Sequence, residues 1–409
     1  MTNNFQYDLI ILGATGFVGS IVCKYLLSHI ASEENVKWAI AGRSQTKLDN
    51  LINTLGMSTT HLTTLIADVT DEAALTVLCA QTRVIVSTVG PYALYGETLV
   101  KVCAITGTDY CDLTGEVQWI QQMIQKYAAT AQRSGSRIIH CCGFDSIPSD
   151  LGVYYLQQQA QQRWGEPCVQ VKMRVKAAKG GISGGTAASG INLVKEAIAN
   201  PTTRQALENP YSLCPAKDKY PEHPPTLVAV KTDNIFQEWI SPFVMASVNT
   251  PVVLRSNALQ DWAYGDNFQY DEAILTGQGI LGWIIAQGLK VGLDGLTLAA
   301  MIPPTRWILE QIIPKSGEGP SAEEQVQGFY DLRFWGQTAS GQTLMLKVTG
   351  DRDPGYGSTA KILAQAGICL AKDIPKSAKK GGFWTPATIF GEILVERLIE
   401  YAGLTFKII

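Results

Sequence analysis

The run Gly13-Ala14-Thr15-Gly16-Phe17-Val18-Gly19 stands directly after the apolar stretch Tyr7-Asp-Leu-Ile-Ile-Leu12 and opens a helical pattern. Glycines placed there let the backbone turn tightly and approach a pyrophosphate. The helix N-terminus then supplies N–H groups and a favourable dipole. The spacing is Gly-x-x-Gly-x-x-Gly, not Gly-x-Gly-x-x-Gly, so the position between a first strand and a first helix carries the reading. The second apolar stretch ends Ala41-Gly42-Arg43-Ser44. An NAD site needs an acidic residue there for the ribose 2′-hydroxyl, whereas a guanidinium beside a hydroxyl suits a 2′-phosphate. The expected cofactor is NADP, as NADPH, with no metal: His29, His61, His140 and His223 have no ligand spacing.

Further candidates sit where later strands should end. Asp68 is placed either to bond an adenine amino group or, with Thr70, to cap the next helix. Val89-Gly90-Pro91 follows the fourth strand and reads as a rigid loop at the carboxyl edge of the sheet, where ligands bind, or as turn chemistry alone. In Cys142-Gly-Phe-Asp-Ser-Ile-Pro-Ser-Asp150, Pro148 suits a first helical turn, Ser146 a cap, and Gly143 and Phe144 the nicotinamide end. Lys179 to Thr186 is a second glycine-rich loop, suited to closing over cofactor or substrate. No residue is assigned as catalytic. Tyr92, Asp145 and Tyr356 are the candidate proton donors, because their loops should face the cleft.

The elements that must position these residues alternate. Strand-like runs at 7–12, 36–41, 62–67, 83–88, 109–112 and 136–141 are separated by helical spacing, which predicts right-handed βαβ units and a doubly wound parallel sheet. After Asp150 the rhythm changes. Cys168 to Lys176 alternates with period two, Tyr211 to Pro225 reads as a surface loop, and Phe329–Trp335 with Thr343–Val348 reads as a hairpin. The expected fold class is α/β: a Rossmann-type sheet with an inserted α+β domain on a largely antiparallel sheet. The expected division is 1–150 for the NAD(P) domain, 151–354 for a substrate and oligomerisation domain, and 355–409 for C-terminal helices packing back on the first.

Composition sets the remaining bounds. The 409 residues carry 46% apolar and 17% charged side chains and a net charge of −3, so no nucleic-acid footprint exists. The nine cysteines lack a Cys-x-x-Cys pair, and the start is polar, which predicts reduced thiols in a cytoplasmic protein. The segment Ile274 to Ile313 is the oiliest. It suits a buried helix pair, a substrate-cleft or membrane-surface helix with the protein peripheral at a membrane, or a homodimer interface.

The chain resembles the saccharopine-dehydrogenase-like oxidoreductases, in particular their trans-acting enoyl reductase branch. The resemblance rests on Ile10 to Gly19, Ala41 to Ser44, Val89 to Tyr92, Cys142 to Asp150, Gly184 to Thr186, Pro354 to Tyr356 and Gly381 to Pro386. It implies that Gly13, Ala14, Thr15, Gly16, Phe17, Val18, Arg43, Ser44, Asp68 and Val89-Gly90-Pro91 line the cofactor. It also implies a reductase working on lipid precursors. True saccharopine dehydrogenases hold a polycarboxylate that calls for arginines, and 274–309 carries only Lys290, Asp294 and Arg306. A small lipid-like or acyl substrate with an activated C=C bond is the expectation. An imine or carbonyl reductase and a non-catalytic NADPH-binding lipid protein are the alternatives.

Overall fold

The computed structural model describes residues 5–33, 35–56, 62–181, 184–217, 219–223, 227–312 and 318–409. Its first sheet is built from β1 (Tyr7–Leu12), β2 (Trp38–Gly42), β3 (Thr63–Ile66), β4 (Thr82–Ser87), β5 (Asp109–Asp112), β6 (Arg137–Ile139) and, far along the chain, β13 (Gly382–Trp384). The order is β13-β6-β5-β4-β1-β2-β3, parallel throughout. Such a sheet must be covered on both faces, which explains the unbroken apolar runs of its strands. Leu9 and Ile11 point to one side with Ile40, Val84 and Val86. Ile10 and Leu12 point to the other with Ala39, Ala41 and Ile85.

Helices Glu72–Cys79, Glu97–Thr106 and Val117–Ser134 supply the second of these faces. The first is covered by Phe17–Glu33 and by Thr359–Lys372, which lies against β1, β4 and β5. A Cβ at Gly367 would sit 2.7 Å from Val86 Cγ2, so this late helix approaches the sheet as closely as glycine permits.

The second sheet contains β7 (Cys168–Lys179), β8 (Lys231–Thr232), β9 (Trp239–Pro242), β10 (Gln269–Gly277), β11 (Phe329–Thr338), β12 (Thr343–Gly350) and β14 (Leu404–Ile408). Its order is β14-β12-β11-β7-β10-β9-β8, and only the β7–β10 pairing is parallel. Helix Ile147–Trp164 crosses from the first sheet onto this one. A Cβ on its Gly152 would meet the Phe334 ring at 2.5 Å.

Three expectations need amendment. The tail is not purely helical: β13 joins the first sheet and β14 leaves it to pair with β12. The stretch 211–225, of which Asp218, Pro224 and Pro225 lie outside the described residues, is anchored at its start. Tyr211 and Leu213 are buried, Tyr211 stacks on Tyr220 at 4.6 Å, and Arg255 donates to the Leu213 carbonyl. Finally, 274–313 is not a buried helix pair. It begins inside β10 and continues as helices Gly279–Met301 and Pro303–Ile312, whose apolar side chains are mostly exposed. Ile313 lies outside the described residues.

A buried ion pair secures the C-terminal segment. Arg137 donates from Nε and Nη2 to Asp109, from Nη1 to the Ile374 carbonyl and from Nη2 to the Leu370 carbonyl. Removing Arg137 would leave buried Asp109 with Lys376 Nζ, at 2.7 Å, as its remaining cation and would strip the Ile374 and Leu370 carbonyls of their donor. Arg137→Met is expected to lower stability by roughly 3 kcal/mol. Chemical denaturation followed by circular dichroism measures this, and an unchanged midpoint would show that the pair does not hold the segment.

Candidate functional site

The glycine run is shaped by close approach. Gly13 adopts φ +88°, and a Cβ there would lie 2.8 Å from both Thr88 Oγ1 and Val89 Cγ2. A Cβ at Gly19 would lie 2.2 Å from the Gly13 carbonyl oxygen. Thr88 Oγ1 donates to that same oxygen at 3.0 Å, and Gly16 N donates to it at 2.9 Å. The end of β4 and the turn after β1 are thus locked together. Ala14 is buried, Phe17 and Val18 are half-buried, and Thr15 and Gly16 are exposed just ahead of the helix. This is the geometry a pyrophosphate requires.

At the end of β2, Ser44 caps the next helix by accepting from Lys47 N. Arg43 is exposed and, among the described residues, makes no hydrogen bond or ion pair. Asp68 accepts from Thr70 N at 2.9 Å and Thr70 Oγ1 at 2.7 Å. These bonds, with a smaller contribution from Arg43, hold its carboxyl below the usual range. The following helix is capped by Asp71 through Ala73 N and Ala74 N, so Asp68 and Thr70 are not its cap. An exposed guanidinium without a hydrogen bond, next to a capping serine, fits a 2′-phosphate.

The loop after β4 contains a cis Gly90–Pro91 bond and leads into the short helix Tyr92–Tyr95. Glu116, which the sequence did not single out, accepts from Tyr92 N at 2.9 Å, Ala93 N at 2.8 Å and Ser189 Oγ at 3.1 Å. It thereby joins this loop to helix Gly184–Ala199. A lone Glu at the end of a strand–loop unit gave no signal, because its partners lie 23 residues upstream and 73 downstream. Ile182 and Ser183 of the second glycine-rich loop lie outside the described residues.

The candidate acids separate. The Tyr92 hydroxyl is buried, donates to the Ser87 carbonyl at 3.0 Å and accepts from Leu113 N at 3.4 Å. Burial, reinforced by Asp112, pushes it well above the ordinary phenol range, and the hydroxyl is engaged by these two backbone groups. Tyr356 is buried with its ring edge-on to Phe17, centroids 5.1 Å apart. Asp145 is half-buried by surface area yet enclosed closely enough that desolvation alone raises its carboxyl to about 6. Among the described residues it forms no hydrogen bond or ion pair. Its neighbour Phe144 is fixed by donation from its backbone N to Thr359 Oγ1 at 3.0 Å and by the Tyr330 ring at 4.6 Å. Ser146 occupies the cap position of helix Ile147–Trp164 but makes no capping bond. Its hydroxyl donates to Asn249 Oδ1 instead, at 2.9 Å.

Loops of the second sheet close against the glycine run. A Cβ at Gly319 would meet the Phe17 ring at 2.3 Å, and one at Gly181 would meet Pro320 at 3.0 Å. Asp353, also missed, is fully buried and accepts from Gly181, Gly355, Tyr356 and Gly357 N–H groups. It sets the turn that lays Tyr356 on Phe17.

Two substitutions test this site. Arg43→Asp is expected to weaken NADPH about 100-fold, the loss of one charge-assisted contact plus a new repulsion, and to narrow or reverse the preference over NADH. Isothermal titration with both cofactors measures it; equal affinities in the unmodified protein would remove Arg43 from the site. Gly16→Leu is expected to keep the fold, since a Cβ there meets only the Gly13 oxygen at 3.2 Å. The larger side chain then occupies the pyrophosphate surface and abolishes binding. Normal titration by a natively folded variant would reduce the run to a turn.

Comparison with known proteins agrees with this geometry. Residues 9–139 match the saccharopine dehydrogenase NADP binding domain. The trans-acting enoyl reductase of Mycobacterium tuberculosis is 35% identical over 96% of this chain and 96% of its own length. That of Mycobacterium leprae is 34% identical, with the same coverage of both chains. The solved apo saccharopine dehydrogenase (L-Glu forming) of Saccharomyces cerevisiae shares the fold. Its TM-score is 0.55 at 13% identity, covering 98% of this chain and 100% of that one. The chain is an NADP-dependent oxidoreductase and belongs to the trans-acting enoyl reductases of the saccharopine-dehydrogenase-like family.

Proposed function

We propose that the protein reduces the C=C bond of an α,β-unsaturated acyl thioester or related lipid precursor. The observation that carries this reading is the fate of the buried arginines. Arg137 is spent on Asp109, Arg174 on Asp233 and Asp271, Arg255 on the carbonyls of Leu213 and Phe383, and Arg397 on Gln365 and Asp373. None of these is left to receive the carboxylates of an amino-acid adduct, so an uncharged acyl group is the better match. The names of the mycobacterial relatives support the same reaction class.

NADPH, when bound, supplies the hydride that goes to the β-carbon. The proton for the α-carbon comes from the Asp145 carboxyl, which solvent then reprotonates. Desolvation without a hydrogen-bond partner keeps that carboxyl neutral well above the ordinary aspartate range, as a proton donor requires. The Phe144 backbone bond to Thr359 and the Ser146 bond to Asn249 hold the two residues flanking Asp145, and so aim it.

The acid must carry its proton, so kcat is expected to fall as pH rises through about 6. Asp145→Asn should lower kcat by roughly 100-fold, within the range of one general acid, with KM and NADPH affinity little changed, and should abolish that limb of the profile. NADPH absorbance with enoyl thioesters measures this, beside imine and 2-oxo acid substrates. Turnover of the imines alone would favour the amine-forming alternative. NADPH binding with no turnover of any substrate would favour a non-catalytic protein. An unaltered pH profile in Asp145→Asn would pass the proton to another group.

A further inference from the structure

Helix Gly279–Met301 has 23 residues, and only 11% of its most apolar window is buried. A core helix of that composition would be mostly covered. Its buried residues are Gly282, Ala286 and Ala300, which at 100° per residue fall within an arc of about 40°. The helix docks on β9 and β10 and against helix Gly184–Ala199, whose Lys195 pairs with Glu310 of helix Pro303–Ile312 at 2.8 Å; on the sheet side Thr276 Oγ1 donates to the Gly282 carbonyl at 2.9 Å, and Ser241 Oγ to the Ala286 carbonyl at 3.1 Å. The exposed residues Ile280, Leu281, Leu289, Leu296 and Leu298 spread over roughly 180° of the circumference, and Lys290, Asp294 and Gln287, with Trp283 among them, fill a strip between about 80° and 140° from the docked stripe. Ile280 is 79% and Leu281 72% exposed.

The returning helix Pro303–Ile312 has no buried residue, and its Trp307 and Ile312 are 63% and 74% exposed. The turn between the two helices satisfies its own backbone. Arg306 donates from Nε to the Ala300 carbonyl at 2.6 Å and from Nη2 to the Met301 carbonyl at 2.8 Å. Thr305 Oγ1 donates to the carbonyls of Ala299 at 2.8 Å and Ile302 at 3.0 Å. Water would serve these carbonyls at no cost, whereas hydrocarbon demands that the chain serve them itself. The long helix carries two charges, Lys290 and Asp294, and they neutralise one another at 2.5 Å.

An apolar arc of about half the circumference, flanked on one side by the docked stripe and a strip of polar residues, is the pattern of a helix that lies in a membrane interface. Length decides how deep. The long helix spans about 35 Å and the returning one about 15 Å. The second cannot recross a hydrocarbon layer about 30 Å thick, so the pair enters and leaves by the same face. We propose that the helical hairpin Gly279–Ile312 embeds in one leaflet of a lipid bilayer and holds the enzyme at the membrane surface. This stands apart from the identity of the substrate.

Flotation of the full chain with phosphatidylcholine vesicles, and with vesicles also containing phosphatidylglycerol, tests it. The chain is expected to float with both, because apolar insertion does not require an anionic headgroup. Leu296→Glu/Leu298→Glu should lower the floating fraction at least tenfold while NADPH affinity stays unchanged. Should that variant fail to fold, brominated phosphatidylcholine gives an independent reading. It should quench tryptophan fluorescence of the unmodified chain, and quench Trp283→Phe/Trp307→Phe much less. A chain that stays unfloated with both vesicles overturns the proposal, as does equal quenching of the two proteins. So does a dimer in vesicle-free buffer that Leu296→Glu/Leu298→Glu abolishes and that vesicles leave intact, which would assign the hairpin to a second copy.

Discussion

The Asp353 carboxylate is the point at which the two sheets become one site. It is fully buried and gathers four backbone N–H groups, three from the turn that follows it and one from Gly181 at the end of β7. Clustered N–H donors are the usual way a carboxylate is held inside a protein without a counter-ion. The bonds fix how the chain leaves β12 and enters the helix covering the first sheet. Because that helix begins at Thr359, the same turn positions the Thr359 hydroxyl under the Phe144 N–H. It also lays Tyr356 on the first residue of the helix that follows the glycine run.

Four enclosed carboxyls, Glu116, Asp145, Asp150 and Glu272, are raised by burial, and geometry tells them apart: Glu116 is held by Tyr92 N, Ala93 N and Ser189 Oγ. Asp150 is pushed up to about 7 by burial, although Ser256 Oγ and Ala387 N donate to it. Glu272 reaches about 7 for the same reason, although Tyr270 and Asn249 donate to it. Both lie in closed networks that join helix Ile147–Trp164 to its neighbours. Asp145 has the smaller shift but no partner, and it sits in the loop at the carboxyl end of β6. A perturbed pKa marks a functional group only when the group is also placed where a substrate can reach it.

The second sheet and its helices show a related economy of charge. Arginine and aspartate are used inward, in pairs such as Arg174 with Asp233, so that fixed charge is compensated before a ligand arrives. Enclosure of the acyl chain proposed as substrate would need no further counter-charge.

What spacing alone determined is local. The glycine run, the basic residue at the end of β2, the strand–helix rhythm and the hairpin of β11 and β12 depend on residues a few positions apart, and they are found where the pattern places them. The apolar character of 279–312 was legible too, because it is composition. Its exposure was not, because that depends on how narrow a stripe the neighbouring sheet can accept. The fates of Tyr92 and Ser146 were also undetermined. Their loops were identified, but their hydroxyls are claimed by Ser87 and Leu113 in one case and by Asn249 in the other. Glu116 and Asp353 escaped notice because their roles rest on backbone groups brought close only by folding. The same holds for β13 and β14, which choose different sheets. A short apolar strand carries no record of the edge it will pair with, since hydrogen bonding between backbones is indifferent to side chains, and only the packing of the whole chain decides it.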